Sequence, residues 1–390
     1  MWPTIGKPLL LSLTLALSLL ANQACAAELW GVWPWWLSSQ PQVLQQYPVR
    51  RVLWQAWEIQ PNATLETHHW AALWAGVKPS PSPKNQSKPV DLRQRLQQNQ
   101  QRLAPVLSLR DPLVFNRLFS SRPRWAIVLG QLLTELRVMP RDVCAGVHLD
   151  FALYANLQPE ALSGFQEFVR TLREQLQRQI PHATLTATAP AGVEQPLWTA
   201  DLSAHIPFLA LNGHEAHWLD GPEAGALAPL KGAGFITWEN TLRYYLHLGW
   251  PARKLLFTLP LYGVEWPTQH EKVGSTPRGM GQILAMQALA KPAGFRGEWP
   301  LASRSVQQQL SHTLVRRDAE SGSSWYSYKT KQGWVQGWFE DESSLQQKID
   351  FIQRERLGGV ALHFLGADQG AARATLQSLL PRPPAAKGKP

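Results

Sequence analysis

A chain of 390 residues with 44% hydrophobic content is long and apolar enough for one large domain or two ordinary ones with a full core, which marks a globular protein. The formal charge of +10 favours anionic partners in general, yet the basic residues are scattered and accompany no nucleic-acid motif, so we read a basic soluble surface and no nucleic-acid partner. Tryptophan is the sharper anomaly, with 19 copies, many of them early in the chain; such rings stack on sugar faces and equally fill cores.

Residues 1–26 read as a secretory signal peptide, with Lys7 as the positive start, an apolar run from Pro8 to Leu20, and Ala24-Cys25-Ala26 as a small-residue cleavage site. The run is too short for a membrane span, so export without stable membrane insertion is expected. Asn22 and Gln23 disfavour a lipid anchor on Cys25. Cleavage after Ala26 or Ala27 leaves Cys144 as the single cysteine and no internal disulfide, which suits a bacterial envelope protein, periplasmic or secreted.

Glu28 to Trp33 is predicted as the first strand, closed by Trp33-Pro34-Trp35-Trp36 where a binding mouth could lie, and Val49 to Trp57 as the second. The segment Lys78 to Lys88 is a Pro, Ser and Lys loop, followed by a Gln-rich helix from Val90 to Arg102. A third strand, Ala104 to Leu109, ends in Arg110 and Asp111 and is stopped by Pro112. A helix around Trp125 to Leu136 then leads to Ala145-Gly146-Val147-His148-Leu149-Asp150-Phe151-Ala152-Leu153-Tyr154, which has a period of two. Val147, Leu149 and Phe151 share one face, while His148, Asp150 and Ala152 share the other. Burying an imidazole and a carboxylate together demands partners, so this strand carries either a satisfied structural pair or a functional site.

An amphipathic helix opens at Pro159-Glu160. Strands at Ala183 to Ala187, Phe208 to Leu211 (closed by Asn212-Gly213-His214-Glu215), Lys254 to Leu259 and Gly359 to Phe364 complete a set of eight, with helices at Glu239 to Leu248 and Ser343 to Arg356. Eight strands with mostly helical crossovers predict an α/β fold, the (β/α)8 TIM barrel, with functional groups at the C-terminal strand ends. Residues 267–337, between strands seven and eight, are predicted as a small α+β insertion that walls one side of the mouth. The expected division is signal 1–26, barrel 28–380 and a disordered tail 381–390. Asn62-Ala63-Thr64 and Asn85-Gln86-Ser87 match glycosylation sequons, patterns that often arise by chance.

These motifs resemble glycoside hydrolase family 18, the chitinase-like barrels, and in particular their bacterial envelope and spore-lysin branch. Lys254-Leu255-Leu256-Phe257-Thr258-Leu259-Pro260-Leu261-Tyr262-Gly263 is similar to the family's seventh strand. Trp338-Phe339-Glu340-Asp341-Glu342-Ser343-Ser344-Leu345 with Lys348, and then Leu357-Gly358-Gly359-Val360, resemble its closing helix and eighth strand. The resemblance implies a substrate-assisted glycosidase site on the fourth strand, D-G-x-D-x-D-x-E, whose Glu is the general acid and whose preceding Asp orients the 2-acetamido group. Here that pattern reads Ala145, His148, Asp150 and Ala152, so only Asp150 survives and a methyl group stands where the acid belongs. A lost general acid removes about 10²- to 10⁴-fold in rate, so a non-hydrolytic, lectin-like pseudoenzyme is the leading expectation.

Further departures lie at the other strand ends. The family's M-x-Y-D positions correspond to Asn212, His214 and Glu215, and the Trp beneath the sugar corresponds to His363. The catalytic candidates are Asp150, Glu215 and His214, with the last two as relocated acids; a salt bridge from Glu215 to a mouth arginine such as Arg110 is the structural alternative. Trp33, Trp35, Trp57, His148, Asn212, Tyr262 and His363 are the substrate-binding candidates, core packing being an equal reading for any one tryptophan. His148, His214 and His363 also leave open a divalent metal site, although no short-range ligand spacing supports one and no cofactor is otherwise expected. The expected partner is a glycan with N-acetylhexosamine units, such as peptidoglycan, a chitin-like oligosaccharide or an exopolysaccharide.

Overall fold

A computed structural model describes residues 27–68, 70–74, 91–151, 153, 157–192, 197–234, 236–292 and 299–379. The expected signal peptide, the loop 78–88, Asn85, Ala152, Tyr154 and the tail 381–390 lie outside the described residues.

Among the described residues, eight parallel strands close into a barrel: β1 (Glu28–Pro34), β2 (Arg51–Ile59), β3 (Arg102–Ser108), β4 (Gly146–Asp150), β5 (Thr184–Ala189), β6 (Leu209–Leu211), β7 (Leu255–Pro260) and β8 (Gly359–His363). Each pairs with the next, and β8 returns to β1 with Glu28 opposite Gly359 and Gly31 opposite Leu362. Closure leaves no open edge in the ring. The predicted (β/α)8 architecture is therefore the one observed.

The alternation expected of half-buried strands separates two cores. Trp30, Val32, Leu53, Val106 and Leu256 point into the barrel with Ala104, Ala145, Ala210 and Ala361, and these small alanines leave room for the Trp30 ring. The opposite faces, including Val147, Leu149 and Phe151 of β4 and its continuation, pack against the helices. Glycines start β4 and β8 for a specific reason. Gly146 (φ 113°) and Gly359 (φ 148°) sit in left-handed backbone with the carbonyls of Thr184 and Glu28 where a Cβ would be.

Two local differences from expectation have clear causes. Pro112 does not simply end β3; it opens a helix, Pro112–Phe119, because Asp111 caps the N–H groups of Leu113 (2.7 Å) and Val114 (3.4 Å) and Pro suits the first helical turn. In β2 the register shifts between Gln55 and Trp57. A bulge of this kind re-aims side chains, so Gln55 faces the barrel mouth while Trp57 packs outward against Trp70.

The stretch after β7 forms a five-stranded antiparallel sheet, ordered Gln282–Ala285, Tyr262–Thr268, Gly333–Phe339, Ser324–Thr330, Arg316–Arg317. It begins at Tyr262 and runs to Phe339, a few residues beyond the predicted 267–337 at each end, because Pro267 sits within an extended strand. Leu284, Val306, Tyr326 and Phe339 give it a small core. Its link to the helix Glu342–Arg354 is a buried ion pair, Lys348 Nζ to Glu340 Oε2 at 2.8 Å, completed by Ser323 Oγ at 3.1 Å and the Ser321 carbonyl at 3.2 Å. No helix among the described residues is long and apolar enough to cross a membrane.

Candidate functional site

The C-terminal ends of β2 to β8 surround a cleft of about 530 Å³ whose polar lining is Gln55, Arg110, His148, Asp150, Thr188, Asn212, His214, Glu215, Thr258 and His363. Inward register positions supply most of these groups, which is why residues distant in sequence converge.

On β4, Asp150 Oδ2 accepts from Arg110 Nη2 at 3.2 Å. Burial holds the Asp150 carboxyl above its ordinary range; Arg110 opposes the shift and Glu215 adds to it. His148 lies two residues deeper. Its Nδ1 is 2.9 Å from Thr186 Oγ1 and its Nε2 is 2.8 Å from Thr188 Oγ1, both threonines lying on β5. Burial pushes its pKa down to about 3, so the ring is neutral at ordinary pH.

After β6, Asn212 Nδ2 donates to Glu215 Oε2 at 2.6 Å. His214 Nδ1 contacts Thr258 Oγ1 of β7 at 2.6 Å, and its Nε2 stands 3.7 Å from Glu215 Oε1. Burial, with a smaller push from Arg110, takes His214 down to about 3. At the end of β8, His363 stacks on His214 with ring centroids 4.2 Å apart, and burial followed by the neighbouring His214 lowers it well below the usual histidine range. Tyr262 is buried behind this pair, edge-on to His214 at 6.5 Å and stacked on Phe364 at 5.8 Å. Burial, reinforced by Glu215, raises its phenol far above the usual value.

A second, more open cleft of about 650 Å³ adjoins the first through Gln55 and Arg110 and is walled by Trp35, Trp36, Trp57, Glu58, His68 and Ser108. Trp35 is 37% exposed and stacks on His68 at 5.4 Å. Trp33 is not brought to this mouth: it is fully buried among the outward-facing core residues. Trp57 contributes to the wall, but at 1% exposure most of its ring is packed against Trp70 (4.9 Å).

This geometry bears on three of the alternatives that the sequence leaves open. The three histidines do not assemble a metal site, since both nitrogens of His148 are occupied by threonines and no group of three or more His, Cys, Asp or Glu is placed to hold an ion among the described residues. Arg110 pairs with Asp150 and not with Glu215. Burial depresses His214 to about 3, which weighs against a proton-donor role near neutrality. Sequence reasoning did not single out Gln55, Thr186, Thr188 or Thr258. Thr186 and Thr188 occupy inward positions at i and i+2 on β5, and Thr258 lines the cleft from β7; alternation along each strand was the available signal.

The family model for glycosyl hydrolases family 18 matches residues 129–368. The cortical fragment-lytic enzyme of Bacillus subtilis is 22% identical over 227 residues, covering 56% of this chain and 46% of that protein. The chain spans about half the length of the curated relatives it matches. A GH18 chitinase from Cycas revoluta, solved in complex with (GlcNAc)3, superposes with a TM-score of 0.67 at 17% identity over 90% of this chain and 98% of that one. The spore cortex-lytic enzyme SleL of Bacillus cereus superposes with a TM-score of 0.66 at 14% identity, over 91% and 74% respectively.

Proposed function

Because the chain belongs to glycosyl hydrolases family 18, we propose that it is an exported barrel that recognises an N-acetylhexosamine-containing glycan without the standard chitinase reaction. The observation that carries the second half is the alanine at position 152, where the family layout requires its general acid. Asp150, Asn212 and His363 would hold the innermost sugar, and Trp35 with the wall of the outer cleft would hold its neighbour. In support of a glycan ligand, the Cycas relative is a chitinase crystallised with GlcNAc units, and two Bacillus relatives are named for lysis of the spore cortex or its fragments. The proposal includes the signal at 1–26, delivery to the periplasm or medium, and one barrel domain over 28–380.

The test is titration of the protein with N-acetylglucosamine oligomers and muropeptides, with product analysis of the same samples in the presence and absence of a chelator. Binding with intact ligand is expected. Cleavage would overturn the non-hydrolytic reading. One observation favours a second reading: the Glu215 carboxylate is 45% exposed at the cleft and is free of Arg110, so cleavage abolished by Glu215→Gln would make it a relocated acid.

A further inference from the structure

Three buried side-chain atoms of the mouth lack partners, His214 Nε2, Asn212 Oδ1 and His363 Nδ1, and the first two are acceptors. Around Thr258, the Gly213 N–H donates to Oγ1 at 2.8 Å, the hydroxyl donates to the Leu211 carbonyl at 3.2 Å, and His214 Nδ1 lies 2.6 Å from the same oxygen. A hydroxyl has one proton, so all three contacts are hydrogen bonds at once only when His214 Nδ1 carries a proton; in the neutral ring that burial favours, Nε2 is then a bare lone pair. That Nε2 is buried with no partner.

Asn212 is fixed by the same logic. Glu215 only accepts, so the Asn212 amide must face it with Nδ2, and Oδ1 is the atom left buried and unpartnered. His214 and Asn212 are 5% and 7% exposed, so neither atom has easy recourse to bulk water. A buried acceptor in that condition is costly, and functional sites are where such costs are met by a ligand. Glu215 Oε1, 3.7 Å from Nε2, adds a third acceptor close enough for one donor nitrogen to reach both at ordinary lengths of about 2.8–3.0 Å. Arg110 is engaged by Asp150, so the Glu215 charge has no arginine or lysine partner among the described residues.

The geometry points to a glycan whose innermost sugar carries a free amine, its ammonium seated between Glu215 Oε1 and His214 Nε2. The ligand is thus a partly de-N-acetylated hexosamine polymer, an inference that rests on the glycan-binding reading above. An ammonium brings three donors and a positive charge. An acetamido group brings one donor and a carbonyl oxygen that these acceptors would repel.

The experiment compares glucosamine tetramer with N-acetylglucosamine tetramer by calorimetric titration of the full chain, at about pH 5.5, where the sugar amines carry their protons and carboxylates with ordinary values of about 4.3 remain charged. The amine ligand is expected to bind at least about tenfold more tightly, and Glu215→Gln to reduce that preference below about threefold, since the charge-assisted contact is lost. Independently of any variant, the 15N resonance of His214 Nε2 should move on addition of the amine tetramer and stay in place with the acetylated one. Equal or tighter binding of the acetylated tetramer overturns the inference and leaves the glycan reading standing. A preference that survives Glu215→Gln, or an unmoved Nε2 resonance, also overturns it. Failure of both tetramers to bind removes the glycan reading together with this inference.

Discussion

Replacing Arg110 by alanine leaves the Asp150 carboxylate, 13% exposed, without its cation. Two unit charges at 3.2 Å attract by about 1.3 kcal/mol in bulk water and by about 5 kcal/mol at an effective dielectric of about 20. The guanidinium is 56% exposed, which places the loss toward the lower end, about 1–2 kcal/mol at pH 7. The pH dependence supplies the sharper test. Asp150 already has a folded-state pKa above its unfolded one, so its contribution to stability is fully present at low pH and is lost as pH rises through the folded pKa. Removing Arg110 raises that pKa further, so the deficit of Arg110→Ala should be largest at pH 7 and shrink as the pH falls through the folded pKa toward about 3.9, the ordinary Asp value. Adding Asp150→Asn removes the stranded charge and should recover most of the loss. Denaturant unfolding of the three proteins, the unmodified chain, Arg110→Ala and the double variant, at pH 7 and in acid provides the comparison. A deficit independent of pH, or a double variant no more stable than Arg110→Ala alone, would refute the assignment of Asp150 as a buried charge neutralised by Arg110.

Other outcomes follow from the same geometry. His148 and His214, both depressed to about 3, contribute stability that is present above about pH 6.5 and lost as pH falls toward 3; their imidazole resonances should stay fixed between pH 5 and 8, and a midpoint near 6.5 would contradict their burial as neutral rings. Lys348→Met strands the fully buried Glu340 and should cost about 3–5 kcal/mol in urea unfolding, most of it recovered when Glu340→Leu is added, because a buried pair is worth less than the charge left when it is broken. Ala152→Glu returns the missing carboxyl and should raise cleavage of N-acetylglucosamine oligomers by about 10²- to 10⁴-fold, measured by product analysis. No gain would mean that the changes at Asn212, His214 and His363 remove hydrolysis independently of position 152.

How far the fold and the site were legible depends on what each strand records locally. Alternation in Val147-His148-Leu149-Asp150 names the inward residues of β4 because one side must be apolar against the helices, and the structure places them accordingly. The same rule misplaces Trp57, since the bulge after Gln55 inverts the alternation and leaves no composition signal in a strand already rich in tryptophan. Trp33 illustrates a different limit. It adjoins Trp35 and Trp36 in sequence, yet its parity on β1 sends it to the outer core, so proximity to a strand end was a weaker guide than period. The convergence of His148, His214 and His363 on one mouth was legible from the strand ends, whereas their partners were not: the contacts of His148 with Thr186 and Thr188 depend on the register between β4 and β5, in which His148 faces Thr186 and Asp150 faces Thr188.

That register has a chemical consequence. An imidazole that meets threonine hydroxyls at both nitrogens is ordered but has no free nitrogen for a metal, and burial keeps it from gaining a proton. His214 shares the burial but has one nitrogen unpaired, so of the two it is the one able to meet a ligand. Three rings whose protonated forms burial disfavours, beside Asp150 and Glu215, therefore make a surface better suited to orienting donors than to supplying protons. Glycan binding asks only for that orientation, while glycosidic cleavage by the family's route also asks for an acid. Within the polar lining of the cleft that requirement falls on Glu215 or Asp150, and Asp150 is already engaged by Arg110. Any hydrolysis by this barrel should therefore disappear with the Glu215 carboxyl before it responds to any of the histidines.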